Sequence, residues 1–200
     1  MTPILSEIAG AFPNIEINIF RGPPHEIADK MKSGDLELAV SEPLGDEWER
    51  FDARKLYQEE FGLLVNRTHP LLQRNSVEIE DLVNERLLCR PYCSLTDMLE
   101  LEFRKHGLTP PSKHEVPLVE DLASMVRANL GVGIWPKSRE AGGDLRLAQI
   151  QGFDMNALIS LYTVFGRKQS AAASTFVRLL RSKDWSAEGQ PAIMAGESLH

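Results

Sequence analysis

Pro91-Tyr92-Cys93-Ser94-Leu95-Thr96 puts a thiol and two hydroxyls where a loop turns into a helical pattern. The unpaired N–H groups and dipole of a helix start favour an anion, by about 0.3–1 kcal/mol when exposed. Ser94 also has the plainer reading of a helix N-cap. Oxidants attack thiolates, which a helix N-terminus favours, so Cys93 with Cys89 nearby admits redox chemistry. The plainer reading is a small buried residue at Cys89 and a pocket-lining thiol at Cys93. Two further loops, Arg21-Gly22-Pro23 and Ser41-Glu42-Pro43, follow strand-like runs. Arg21 can pair with a carboxylate or stand as a solvated loop arginine. Glu42 repels an anion unless it faces away or selects an amine.

Other chemistries find no support. No nucleophile-elbow or phosphate-loop motif places the available Ser, His and acidic residues, so no catalytic residue is assigned. His106 and His114 fall in different elements, and no Cys or His cluster has ligand spacing, so neither metal nor cofactor is expected. His25, His69, His106 and His114 read as surface or turn residues. Gln58-Glu59-Glu60 reads as a solvated face.

The elements that must carry these loops are legible in outline. Val116 to Pro136 organises the chain. Leu118, Leu122, Met125 and Val126 form one helical face, and Asn129 suits a left-handed helix end. Leu130, Val132 and Ile134 then line one strand face, with Gly131 and Gly133 on the other. Glycine in a strand signals close packing on the backbone. The order helix, glycine, strand is the reverse of a phosphate loop. Upstream, Ile4, Leu5, Ile8 and Phe12 stripe a helix that starts at Thr2 and Pro3. Ile15, Ile17 and Ile19 alternate as a strand. A helix over 25–33 has Ile27, Ala28 and Met31 inward and Gly34 as its cap, and Leu36 to Val40 is a strand. These short alternating steps predict parallel strands joined by crossovers.

Further on, strands are expected at 61–66, 86–89, 114–116, 145–150 and 157–165. Ser76 caps a short helix containing Ile79, Leu82 and Val83. Leu95, Met98, Leu99 and Phe103 form the buried face of the helix starting at Ser94. Ser170 caps a last helix whose inward residues are Ala172, Ala173, Phe176, Val177 and Leu180. Residues 186–200 carry no pattern and read as a disordered tail.

Composition narrows the class. The chain has 200 residues, 42% of them hydrophobic and 26% charged, as in ordinary globular domains. A net charge of −7 argues against nucleic-acid binding by this chain's own surface. No apolar run is long enough for a membrane span, and no signal peptide is visible. Two cysteines exclude a disulfide scaffold, and a cytoplasmic location is expected.

Several stretches together resemble the effector-binding domain of LysR-type transcriptional regulators. They are Pro3-Ile4-Leu5, Phe12-Pro13 with Ile15 and Ile17, Ser33-Gly34-Asp35-Leu36-Glu37-Leu38-Ala39-Val40, His69-Pro70-Leu71 and Leu130 to Pro136. The resemblance implies an α/β fold of two Rossmann-like halves joined by two crossover strands, periplasmic-binding-protein-like (type 2). It implies one half at 1–65 with 161–185 and another at 66–160. The family binds a small-molecule effector in the interdomain cleft and is not enzymatic. Carried onto this sequence, the effector-binding residues are Arg21, Gly22, Pro23, Ser41, Glu42, Tyr92, Cys93, Ser94 and Thr96. A homodimer or tetramer is implied, with Ile4 to Phe12 and Phe176 to Leu180 as candidates for interface as well as core. DNA is reached only through a winged helix-turn-helix that this chain lacks, as it lacks a first strand before Thr2. Some members sense peroxide with a cysteine near the position of Cys93, although the spacing here is shorter. A solute-binding protein shares the architecture and is the alternative.

Overall fold

A computed structural model describes residues 2–45, 48–91 and 93–185. In chain order the elements are α1 (Thr2–Ala11), α2 (Pro24–Ser33), β1 (Ala39–Ser41), β2 (Phe51–Asn66), β3 (Leu87–Cys89) and α3 (Ser94–Lys105). Then come β4 (Lys113–Glu115), α4 (Val119–Arg127), β5 (Val132–Pro136), β6 (Leu145–Ala148), β7 (Asn156–Val164) and α5 (Ala171–Ser182). Short 3-10 turns at Pro70–Gln73 and Ile79–Leu82 lie between β2 and β3. The described residues form two compact units, 2–58 with 158–185 and 59–157, and the long strands β2 and β7 run from one into the other. The tail at 186–200 lies outside the described residues.

In the first unit β1 pairs antiparallel with β7, Val40 opposite Leu161. Ile4 and Ile8 of α1 pack with Phe176, Val177 and Leu180 of α5 around Leu161. These helices therefore pack apolar residues against each other within one chain, the core part of their expected role. Gly34 ends α2 at φ 96, a conformation that side chains disfavour. The Arg167 guanidinium then donates to the Met31 and Lys32 carbonyls that the helix end leaves open. Ser170 caps α5 as expected, its hydroxyl accepting from the Ala173 N–H at 3.1 Å.

In the second unit the strand order is β4-β3-β5-β2, with β6 on the far side of β2. β3 runs parallel to β4 and β5, while β2 is antiparallel to β5 and β6. Both faces are covered, which is why Phe61 to Val65, Leu87 to Cys89 and Val132 to Trp135 read as nearly continuous apolar runs. Leu63, Val65, Leu87, Val132 and Ile134 face Leu95, Leu99 and Phe103 of α3. Leu64, Leu88 and Trp135 face Leu122 and Val126 of α4. Asn129, at φ 56, turns the chain out of α4; Gly131 then lets the backbone pass close to the Arg86 carbonyl, and Gly133 lets Leu122 of α4 lie close to the sheet.

Several expectations need correction. Among the described residues, 15–19 form no strand ladder, and the Ile15 N–H donates back to the Phe12 carbonyl at 3.0 Å. Among the described residues the first unit thus shows no parallel pairing, and β1 and β7 are antiparallel. Met98 and Leu118 are exposed, at 42% and 57%, whereas Thr96 is buried. Ser76 does not cap the turn at Ile79–Leu82: its hydroxyl bonds Glu78, whose N–H donates to Asp81. Glu59 is buried rather than solvated, because it sits where β2 enters the second unit's core. His69, by contrast, is a turn residue as expected: it caps the turn at Pro70–Gln73, its Nδ1 accepting from the Leu71 N–H and its Nε2 lying 3.4 Å from Glu85.

Candidate functional site

The second unit presents its candidate groups at the carboxyl ends of the parallel strands β3 and β5, where ligands of open α/β sheets bind. β3 ends at Cys89, and the turn through Arg90 and Pro91 delivers Cys93 as the residue before α3. The turn is closed by the Cys93 N–H donating to the Arg90 carbonyl at 3.3 Å. The Thr96 N–H donates to the Cys93 carbonyl at 2.9 Å, which completes the first turn of the helix. Ser94 is exposed at that helix start, while Thr96 is buried and its hydroxyl turns toward the Cys89 thiol. Tyr92 lies outside the described residues.

Arg90 was not singled out in the sequence, yet its Nη2 stands 3.9 Å from Cys93 Sγ, over the helix start. A guanidinium and a helix N-terminus thus sit within one turn of chain, and both favour a carboxylate. The two thiols are buried, at 4% and 6% exposure. Burial pushes the Cys89 thiol above its ordinary value, against the opposing pull of Thr96 and Lys113. Buried thiols of this kind are slow to react.

Beside this turn, the end of β5 meets the start of the second unit. Lys137 Nζ donates to Glu60 Oε2 at 2.8 Å, and the Ser138 hydroxyl donates to Glu59 Oε2 at 2.9 Å. Lys137 and Ser138 follow the carboxyl end of β5, and the antiparallel register of β2 on β5 brings Glu59 and Glu60, within β2, to them. That register is a tertiary fact, so the acidic triplet alone gave no sign of it.

The first unit holds the remaining candidates. Arg21 and Gly22 are exposed, and Pro23 is buried as the residue before α2. A side chain at Gly22 would meet the Phe20 ring, 2.6 Å from its Cβ position. Ser41 ends β1 opposite Ser160, and Glu42 follows, half-buried. Among the described residues, no group of three or more His, Cys, Asp or Glu side chains is arranged to hold a metal ion. None of the described helices is long and apolar enough to cross a membrane.

Two α/β units joined by two strands, with candidate binding groups on the loops that follow their strands, define a ligand-binding domain of the periplasmic-binding-protein type. A model of the LysR substrate binding domain matches residues 1–185, and the chain belongs to that family. It is 26% identical over 182 residues to the HTH-type transcriptional regulator YybE of Bacillus subtilis (strain 168), covering 88% of this chain and 62% of YybE. It is 24% identical over 136 residues to the hydrogen peroxide-inducible genes activator of Haemophilus influenzae, covering 67% of this chain and 44% of that protein. The chain thus spans between two fifths and two thirds of these curated relatives. The fold matches the effector binding domain of QuiR in complex with shikimate at a TM-score of 0.73, with 18% identity over 90% of this chain and 87% of that one.

Proposed function

We propose that this chain is the sensing part of a longer, DNA-binding LysR-type regulator and that its effector is a small carboxylate. The β3–α3 turn supports this reading: Arg90 supplies a positive charge beside the start of α3, whose dipole favours an anion. Ser94 adds an exposed hydroxyl there. Cys93 and Thr96 are buried at that turn; Tyr92 is a further candidate from the sequence. The first unit by itself carries the candidates Arg21, Gly22, Pro23, Ser41 and Glu42. Shikimate, bound by the QuiR domain, is itself a carboxylate. In the cell the protein acts in the cytoplasm as a homo-oligomer, and DNA is contacted by a domain outside this chain.

Calorimetric titration with a panel of small carboxylates tests the proposal. Saturable binding of at least one, weakened ten-fold or more by Ser94→Asp, supports it. That substitution sets a negative charge where the effector's carboxylate rests. Binding of amines or neutral molecules alone refutes it.

Redox sensing is the second reading, favoured by the contact of Arg90 with Cys93 and by the peroxide-responsive relative. The burial of both thiols weighs against it. A peroxide-induced shift in unfolding temperature that Cys93→Ser abolishes would favour it over the carboxylate reading.

A further inference from the structure

One acidic side chain of the second unit is buried at the end of the sheet from which the β3–α3 turn leaves. Glu59 is 8% exposed. It lies two residues before Phe61 on β2, so alternation sets it on the sheet face of Phe61, Leu63 and Val65. That is the face α3 covers with Leu95, Leu99 and Phe103, and Cys89 and Cys93 belong to the same cluster. β2 runs antiparallel to β5 with Phe61 opposite Pro136, so Glu59 lies at the end of the sheet where β5 finishes. β3 is parallel to β5 with Leu88 opposite Gly133, so β3 finishes at that end too. Glu59 and the start of α3 therefore share one face and one end of the sheet, two strands apart. Glu60, one residue on, belongs to the other face, and it takes the Lys137 ammonium at 2.8 Å.

We infer that Glu59 sets the specificity of this site, and that the effector carries an ammonium group a few atoms from its carboxylate, as an ω-amino acid does. The inference rests on the carboxylate reading of the β3–α3 turn. The Ser138 hydroxyl donates to Glu59 Oε2 at 2.9 Å, which fixes the carboxyl group but brings it no charge. An ionised carboxylate has about four lone-pair sites, so Ser138 leaves capacity for the N–H donors of an effector. Buried carboxylates are ordinarily matched by a cation, and a charge-assisted hydrogen bond is roughly twice as strong as a neutral one. Strands two apart are separated by about 9.6 Å. A hydrogen bond of about 2.9 Å at each end leaves roughly 4 Å between the effector's two charged groups, the reach of a short ω-amino acid. Arg90 with the start of α3 takes the carboxylate, and Glu59, held by Ser138, takes the ammonium.

Calorimetric titration of the chain with matched pairs tests it: β-alanine against propionate, γ-aminobutyrate against butyrate, and δ-aminovalerate against valerate. At least one amino acid is expected to bind about ten-fold or more tighter than its partner lacking the amine. Glu59→Gln keeps a hydrogen-bond acceptor for Ser138 and removes the charge. It is expected to bring that pair within about two-fold of each other and to leave the plain carboxylate's affinity within about two-fold of wild type. Ser138→Ala, which releases Glu59 from its hydroxyl, is expected to shrink the preference and spare the plain carboxylate. Three results would overturn the inference and leave the carboxylate reading standing: plain carboxylates that bind wild type as tightly as their amino counterparts, a preference that Glu59→Gln leaves intact, or a Glu59→Gln variant that weakens both members of a pair equally. Binding of no member of the panel would overturn both.

Discussion

Gly133 of β5 lies directly beneath Leu122 of α4: a Cβ on Gly133 would stand 2.6 Å from Leu122 Cδ2. Leu122 is buried at 1% exposure, so its methyl has little room to retreat. Gly133→Ala should cost about 1–3 kcal/mol, the usual price of overpacking a filled core. Gly131→Ala should cost more, because its Cβ would strike the backbone carbonyl of Arg86, which cannot rotate away. Urea denaturation of both variants checks the order. A smaller loss for Gly133→Ala in a Leu122→Ala background would establish that the two side chains compete for one space.

Asn129 holds φ 56 at the end of α4. Glycine adopts this conformation without strain, so Asn129→Gly should leave stability unchanged within about 0.5 kcal/mol or raise it slightly. Asn129→Val should lower it by about 1–2 kcal/mol, since a β-branched residue fits this region worst. The same denaturation assay reads both.

Ser170→Ala removes the cap of α5 and should destabilise the first unit by about 0.5–2 kcal/mol. Ser170→Asp should retain most of the stability, because aspartate caps as well as serine. Circular dichroism melts of the three proteins separate the lost hydrogen bond from mere side-chain loss.

Two exposed ion pairs set the pH limits of stability in opposite directions. The hydrogen bond that Lys113 Nζ donates to Glu100 Oε1, at 2.7 Å, raises the Lys113 pKa above its ordinary 10.5. The folded state therefore holds this proton more tightly, and the stabilisation, full below 10.5, is lost as pH rises through the raised value. The Arg127 guanidinium, at 3.1 Å, lowers Asp144 below its ordinary 3.8. That contribution is present above 3.8 and is lost as pH falls through the lowered value. Glu100→Gln should flatten the alkaline limb of a stability–pH curve and Arg127→Met the acid limb. Neither should alter stability's slope at neutral pH.

Local signals were legible where one residue type satisfies one backbone need. Gly34, Asn129 and Ser170 each end or begin a helix as their chemistry demands. The close approach at Gly131 and Gly133 was legible for the same reason. Periodicity located helix faces but not their margins, so Met98 and Leu118 were placed inward at the edge of a stripe. Alternation at Ile15, Ile17 and Ile19 described a strand conformation; it could not supply the neighbour a ladder requires. At the candidate site, Cys93 and Ser94 were visible as a helix start. Arg90 and Glu59 were not, because their positions depend on how a turn folds back and on the register of β2 against β5.

The most direct test of effector sensing is thermal unfolding against a panel of small carboxylates, with wild type and Arg90→Ala side by side. A true effector at 100 times its dissociation constant should add about 2.7 kcal/mol to wild-type stability. Arg90→Ala should melt at the same temperature without ligand and lose most of the shift with it. A carboxylate shift of equal size in both proteins would contradict the site at the β3–α3 turn, and no shift with any carboxylate would contradict the ligand class itself.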